Sequence, residues 1–254
     1  MVVQQMRAAV LLRGHRRTWD LCRDAMVRTM DQLCLTTHYY ICHWRSGSNP
    51  WPMRSHAGMH IKHAELTGPE HWDLEDSMNC FTAPSWQAQR CYRAMMATGI
   101  SYDLVMDTRS DIWLEPAAAQ PQLPQPGEIH STRLLDPWHD SSMPGMEDHL
   151  FVADPQTMGL WCQRHLHPRY DIRYNHCILC NHCSEQGLVP RQIDWLVSRF
   201  VRPNAAAHQP LDAQQVHLAH MDWNRMTREL RLAHCAAAGI DHTEYDAPYH
   251  LGTA

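Results

Sequence analysis

Tyr102-Asp-Leu-Val-Met-Asp-Thr-Arg-Ser-Asp111 is the stretch on which the fold turns. Leu104 to Met106 make a short apolar run, and the polar residues from Asp107 to Asp111 follow it directly. A strand without polar alternation is buried on both faces, as in a parallel sheet covered by helices. Open α/β sheets bind their ligands beyond the carboxyl ends of the strands. Asp107, Arg109 and Asp111 therefore stand where a site is expected.

The same logic extends outward from this strand. Arg7-Ala-Ala-Val-Leu-Leu-Arg13 is a second continuous apolar run, bounded by Gly14. Trp19, Cys22, Met26, Met30 and Leu33 then recur at helical spacing, a stripe suited to packing on a sheet face. His38 to Trp44 reads as the next strand, closed by the Pro- and Ser-rich loop 46–52, and a strand–helix–strand order implies a βαβ crossover. Residues 53–84 show no period and read mostly as loop, after which Ser85 caps a helix running through Thr98 to Gly99. Glu115 to Gly127 carries Pro116, Pro121, Pro124 and Pro126 and reads as an exposed loop.

Further along, Glu128 to His130 and Leu150 to Ala153 read as short strands, and Asp154-Pro155 as the N-cap and first residue of a helix with Met158, Trp161, Cys162 and Leu166 on its stripe. A helix from Ile172 to Glu185 ends at Gly187, and Leu188 to Val201 reads as a strand-rich return. Residues 205–209 read as a linker and Leu211 to Ala238 as amphipathic helix. The expected architecture is a single α/β domain over residues 1–204, with a mostly parallel central sheet flanked by helices, and a helical C-terminal appendage over 205–254.

Composition narrows the function. The 254 residues are 44% hydrophobic and 19% charged, with mean hydropathy −0.49, which excludes an integral membrane protein and a disordered polyelectrolyte. The formal charge of −5 provides no global basic field, so nucleic acid is not an expected partner and any anion must be held locally. The longest apolar stretches, such as Ala8 to Leu12, fall far short of the ~20 residues that span a bilayer. Met1 to Gln5 lack the basic region of a signal peptide, so the ten cysteines are expected to be reduced thiols and the location cytoplasmic.

Two motifs carry chemistry. Arg13-Gly-His-Arg-Arg17 follows the first strand and precedes the first helix. Gly14 permits a tight turn, a helix start offers N–H groups to an anion, and Arg13, His15, Arg16 and Arg17 supply donors for a diphosphate; the plainer alternative is a solvated turn. In Asp107-Thr-Arg-Ser-Asp111, the middle acid of an Asp-x-Asp cation motif is replaced by Arg109. Asp107 and Asp111 can still share Mn²⁺ or Mg²⁺ if the chain turns, Arg109 can neutralise phosphates itself, or the three can form a strand-end ion pair. The spacing of Cys177, Cys180 and Cys183 resembles a zinc knuckle, but no second ligand pair accompanies it, and zinc is not expected. His56, His60, His63, His217 and His220 are dispersed and read as surface residues. Trp51 and Trp113, read as loop residues near the cleft, could stack on a sugar or a base.

The segments Ala9 to Trp19, Tyr40 to Trp44, Tyr102 to Asp111 and Met146 to Met158, in this order, resemble the GT-A-like sugar transferases of bacteria, algae and large viruses, including the WavE-like proteins. The resemblance covers about residues 7–203. In that family the Tyr-Asp-Leu-Val strand leads to an Arg-x-Arg-x-Asp pattern, which Arg109 and Asp111 match, with Asp107 in place of the first arginine. The resemblance implies a nucleotide-sugar donor under the strand ends and an acceptor, a glycan or another hydroxyl compound, beside it. It also implies that Asp148 or Glu147 is the acid nearest the reacting centre, since activating a hydroxyl needs a carboxylate within hydrogen-bond reach. A non-catalytic nucleotide- or glycan-binding protein on the same scaffold is the alternative.

Overall fold

The structure is a computed structural model, and it describes residues 6–15, 19–33, 35–44, 58–67, 82–117, 119–132, 134–135, 145–146, 148–166 and 182–200. In chain order these form β1 (Met6–His15), α1 (Trp19–Gln32), β2 (Leu35–Trp44), β3 (His60–Thr67), α2 (Thr82–Ala97), β4 (Leu104–Arg109) and β5 (Ile112–Pro116). There follow β6 (Glu128–Ser131), β7 (Leu134–Leu135), β8 (Gly145–Met146), β9 (Leu150–Ala153), α3 (Pro155–Trp161), a 3₁₀ turn over Cys162–Leu166, β10 (Val189–Gln192) and β11 (Leu196–Phe200). The proposed appendage over 205–254, the linker before it and most of the 172–185 helix lie outside the described residues.

Among the described residues seven strands make the main sheet, in the order β10-β6-β9-β4-β1-β2-β3. All run in one direction except β9, which pairs antiparallel with both β4 and β6. The sheet is therefore mostly parallel, and its register places Ala8 opposite Leu104 and Val10 opposite Met106, the two apolar runs read as core strands. The pleat sorts the side chains. Ala8, Val10, Leu12, Leu104 and Met106 pack with Trp19, Met26 and Met30 of α1 and with Ile112 and Leu114 of β5. Ala9, Leu11, Tyr40 and Val105 pack on the other face with Ala88, Cys91 and Met95 of α2 and Met158 and Trp161 of α3. Helices on both faces explain why these strands show no polar alternation.

The α1 stripe is buried throughout, and Asp154 caps α3 as expected, accepting from the backbone N–H groups of Gln156 (2.8 Å) and Thr157 (3.1 Å). Three local readings are corrected. The stretch 53–84 contains β3, an eight-residue edge strand whose polar residues and bulge hide the period. Its partners step from Tyr39–Ile61 to Tyr40–His63, leaving Lys62 as the extra residue. Second, α2 starts at Thr82 rather than after Ser85, because Pro84 is tolerated in a first turn and Ser85 is buried inside the helix. Third, Trp113 belongs to β5, which pairs antiparallel with β11, so it is not a loop residue.

The described cysteines Cys22, Cys42, Cys91, Cys162 and Cys183 are buried thiols outside any disulfide. Among the described residues, no helix is long and apolar enough to cross a membrane.

Candidate functional site

The chain builds β2 and β3 on one side of β1 and then returns to place β4 on the other. That reversal is a topological switch point, and the crevice outside the carboxyl ends of β1 and β4 is where such sheets bind ligands. The last register pair there is Arg13 opposite Arg109. Ser110 N–H donates to the Arg13 carbonyl (3.0 Å), holding the two strand ends together. With a side-chain period of two, Asp107 shares its face with Arg109, and Leu11 stands opposite it in β1.

Six charged side chains alternate in one chain across this end of the sheet. Arg164 Nη2 donates to Asp107 Oδ2 (2.8 Å), and Asp107 Oδ1 accepts from Arg13 Nε (2.6 Å). Arg13 Nη2 donates to Asp148 Oδ1 (3.1 Å), whose Oδ2 accepts from Arg109 Nη1 (3.2 Å). Arg109 then grips Asp111 with two parallel bonds, Nε to Oδ1 and Nη2 to Oδ2, both 2.9 Å. Trp161 Nε1 adds a third donor to Asp107 (3.2 Å). The Arg164 guanidinium lies 4.5 Å from the Trp161 ring and 5.7 Å from that of Phe151.

Burial grades this chain from inside to outside. Side-chain exposure is 0% for Asp107 and 1% for Arg13, against 19% for Asp148 and 24% for Arg109. The inner half is a dry ion-pair cluster, and only the outer half meets solvent. Burial works against ionisation of Asp148, but Arg13 and Arg109, with smaller help from His149 and Arg164, hold its carboxyl well below the usual range. It is ionised at neutral pH and a weak proton acceptor. Burial likewise opposes the charge on Arg13, and Asp107 and Asp148 outweigh it, raising its pKa.

The neighbouring backbone is fixed as well. Gly14 has φ of 100°, a conformation that disfavours a side chain, and its N–H donates to Gln87 Oε1 (3.0 Å). Gln87 Nε2 donates to Thr67 Oγ1 (2.9 Å), which donates in turn to the His43 carbonyl (3.2 Å). One side chain of α2 thus joins the ends of β1, β2 and β3. Beside Asp148, Thr108 Oγ1 donates to the His149 carbonyl (2.9 Å), and His149 Nδ1 lies 3.3 Å from Ser198 Oγ.

Of the residues expected to bind a diphosphate, Arg13 and Arg109 come together through Asp148, and the Gly14 N–H is held by Gln87. His15 ends β1, while Arg16 and Arg17 lie outside the described residues, as does Glu147. Asp107 and Asp111, expected to share a divalent cation, are each bound to arginine. Among the described residues three aspartates face three arginines, so this donor set, as arranged, carries no excess negative charge and does not fit a divalent cation. Among the described residues, no group of three or more His, Cys, Asp or Glu side chains is placed to hold a metal. Arg164, Trp161 and Gln87 were not singled out from the sequence as site residues. Arg164 comes from the 3₁₀ turn, where no spacing marks it as the partner of Asp107.

Compared with known proteins, the chain matches no family model and no curated relative.

Proposed function

We propose that this protein is a glycosyltransferase of the GT-A-like type, taking a nucleotide-diphosphate sugar at the carboxyl ends of β1 and β4 and passing the sugar to a glycan or other hydroxyl acceptor. The observation that carries the reading is the pairing of Arg13 and Arg109 at the switch point, the outer one partly open to solvent. In the reaction, the bond from the anomeric carbon to the diphosphate oxygen breaks and the leaving group gains negative charge. A guanidinium placed there stabilises that charge, as fixed donors do at other developing anions. Asp148 lies beside the same arginines, where it can orient an acceptor hydroxyl. Buried free thiols suit a cytoplasmic setting, where they stay reduced.

One observation favours the alternative of a binding protein without turnover. The carboxyl of Asp148 is held low by Arg13 and Arg109 and is therefore a weak base where it stands between them.

The test begins with a thermal-shift panel of nucleotide sugars with and without Mn²⁺, since a ligand at a hundred times its Kd adds about 2.7 kcal/mol of stability. Calorimetry with UDP and GDP follows on Arg109→Ala and Arg109→Lys. Alanine should weaken binding by about 1.5–3 kcal/mol, the scale of a hydrogen bond to a charged group. Lysine should fall between alanine and the unmodified protein, because an ammonium cannot reproduce the planar fork. Unchanged affinity in Arg109→Ala would move the donor site elsewhere. Binding without sugar transfer to any acceptor would favour the binding protein.

A further inference from the structure

The ion-pair chain contains one link unlike the others. Arg13 is anchored from below by Asp107 at 2.6 Å, and Arg109 is anchored from the side by the two 2.9 Å bonds to Asp111. Each guanidinium therefore keeps an aspartate partner whether or not Asp148 is present. Asp148 makes the longest ion-pair contacts of the chain, 3.1 and 3.2 Å, from the segment between β8 and β9. It is also the most exposed of the three carboxylates. Its two oxygens are divided, one to each arginine, so that the carboxylate bridges them.

Two oxygens on one centre, spread across two fixed guanidiniums, is also how a phosphate would be received. Arg13 is itself buried, and the partly exposed Asp148 carboxylate accepts from its Nη2. We propose that the Asp148 carboxylate is a built-in stand-in for the ligand, and that a phosphate or diphosphate binds by displacing it from between Arg13 and Arg109. This deepens the sugar-transferase reading and rests on it for the identity of the larger ligand, but not for the phosphate site.

Exchange has a consequence for Asp148 itself. Displacement separates its carboxylate from the two arginines that hold its proton affinity down and leaves it beside an incoming polyanion. Both changes raise its proton affinity. The acid that is a weak base between the two arginines becomes a stronger one when the anion takes its place. Binding of the phosphate group and release of the carboxylate are then one event.

The probe is inorganic pyrophosphate, titrated by calorimetry at fixed ionic strength against the full chain and against Asp148→Asn, Arg109→Ala and the double variant. Removing the competing charge should tighten pyrophosphate binding about tenfold in Asp148→Asn, a factor worth 1.4 kcal/mol. Arg109→Ala should weaken it in either background. If Asp148→Asn is too unstable to titrate, pyrophosphate should restore its cooperative melting where sodium chloride of equal ionic strength does not, and failure of that rescue overturns the proposal. Equal or weaker binding by a well-folded Asp148→Asn overturns it too, because a competitor cannot be removed at a loss. The two readings fail separately. Tighter pyrophosphate binding in Asp148→Asn with no response to any nucleotide sugar keeps the exchange site and removes the transferase, and the opposite pattern does the reverse.

Discussion

Asp107→Asn tests whether the inner half of the charge chain is a structural element. Asp107 is fully buried and accepts from Arg13, Arg164 and Trp161. Asparagine keeps the volume, loses the charge, and turns an N–H group toward a guanidinium that can only donate. Arg13 still has the Asp148 carboxylate, whereas Arg164 loses the charge of Asp107 and is left with neutral partners, among them the Trp161 carbonyl (3.2 Å), the Cys162 side chain and two aromatic rings. Breaking a buried pair from one side costs about 3–5 kcal/mol, because a charge remains in the interior without its partner. For a domain of this size each kcal/mol moves the melting temperature by about 2–4 °C, giving a fall of roughly 6–20 °C. Urea denaturation followed by circular dichroism, with thermal scans in parallel, reads both quantities. Adding Arg164→Met removes the stranded cation and fills its place between Trp161 and Phe151, so the double variant should recover at least about 1 kcal/mol. A loss below about 1 kcal/mol in Asp107→Asn, or no recovery in the double variant, would refute the reasoning.

Two further outcomes follow from packing and from proton uptake. Gly159→Ala in α3 would ordinarily stabilise a helix, but the added Cβ would stand 2.5 Å from Tyr92 Oη and 2.8 Å from its Cζ. We expect a loss of about 1–2 kcal/mol by urea denaturation, and a gain of about 0.5–1 kcal/mol for the same change in a Tyr92→Ala background; the same sign in both would contradict this. Burial pushes the pKa of His165 down to about 4, with Arg164 adding to the effect and the Cys162 carbonyl opposing it. The unfolded chain, with histidine near about 6.5, takes up a proton that the folded protein refuses, so this contribution to stability is present above about pH 6.5 and is lost as pH falls toward 4. His165→Asn should flatten that decline in urea midpoints measured across the window, and an unchanged slope would dismiss His165 as its source.

The interior of the sheet was legible because both faces of β1 and β4 are covered, and such strands have to be continuously apolar. The α1 stripe and the Asp154-Pro155 start of α3 are equally local signals, and both hold. In β3, the α2-facing side carries Glu65, paired to Arg90 at 2.6 Å, instead of an apolar residue, and the bulge at Lys62 interrupts the alternation that would have marked a strand. That Arg13 and the stretch Asp107 to Asp111 meet at neighbouring strand ends could be read in advance, since strand ends follow from strands. The pairing could not. Which acid meets which arginine depends on the return of β9 beside β4 and on a 3₁₀ turn that brings Arg164 under Asp107. Both are tertiary choices without a sequence period. Arg109 and Asp111, two residues apart, are the exception, and a strand-end ion pair was among their open readings.

The bulge at Lys62 has a consequence for how this chain behaves in company. Among the described residues, β3 is the outermost strand on its side, and an eight-residue outer strand presents its backbone donors and acceptors to any passing chain. The extra residue breaks the even spacing of those groups, and the exposed ammonium of Lys62 would have to be buried by a newcomer. The opposite border relies on brevity and imino chemistry: β10 has four residues, and Pro190 lacks the N–H that a guest strand would need. Among the described residues both borders discourage a further strand, one by a crooked ladder and the other by a missing rung, features that work against growth of the sheet from one molecule into the next.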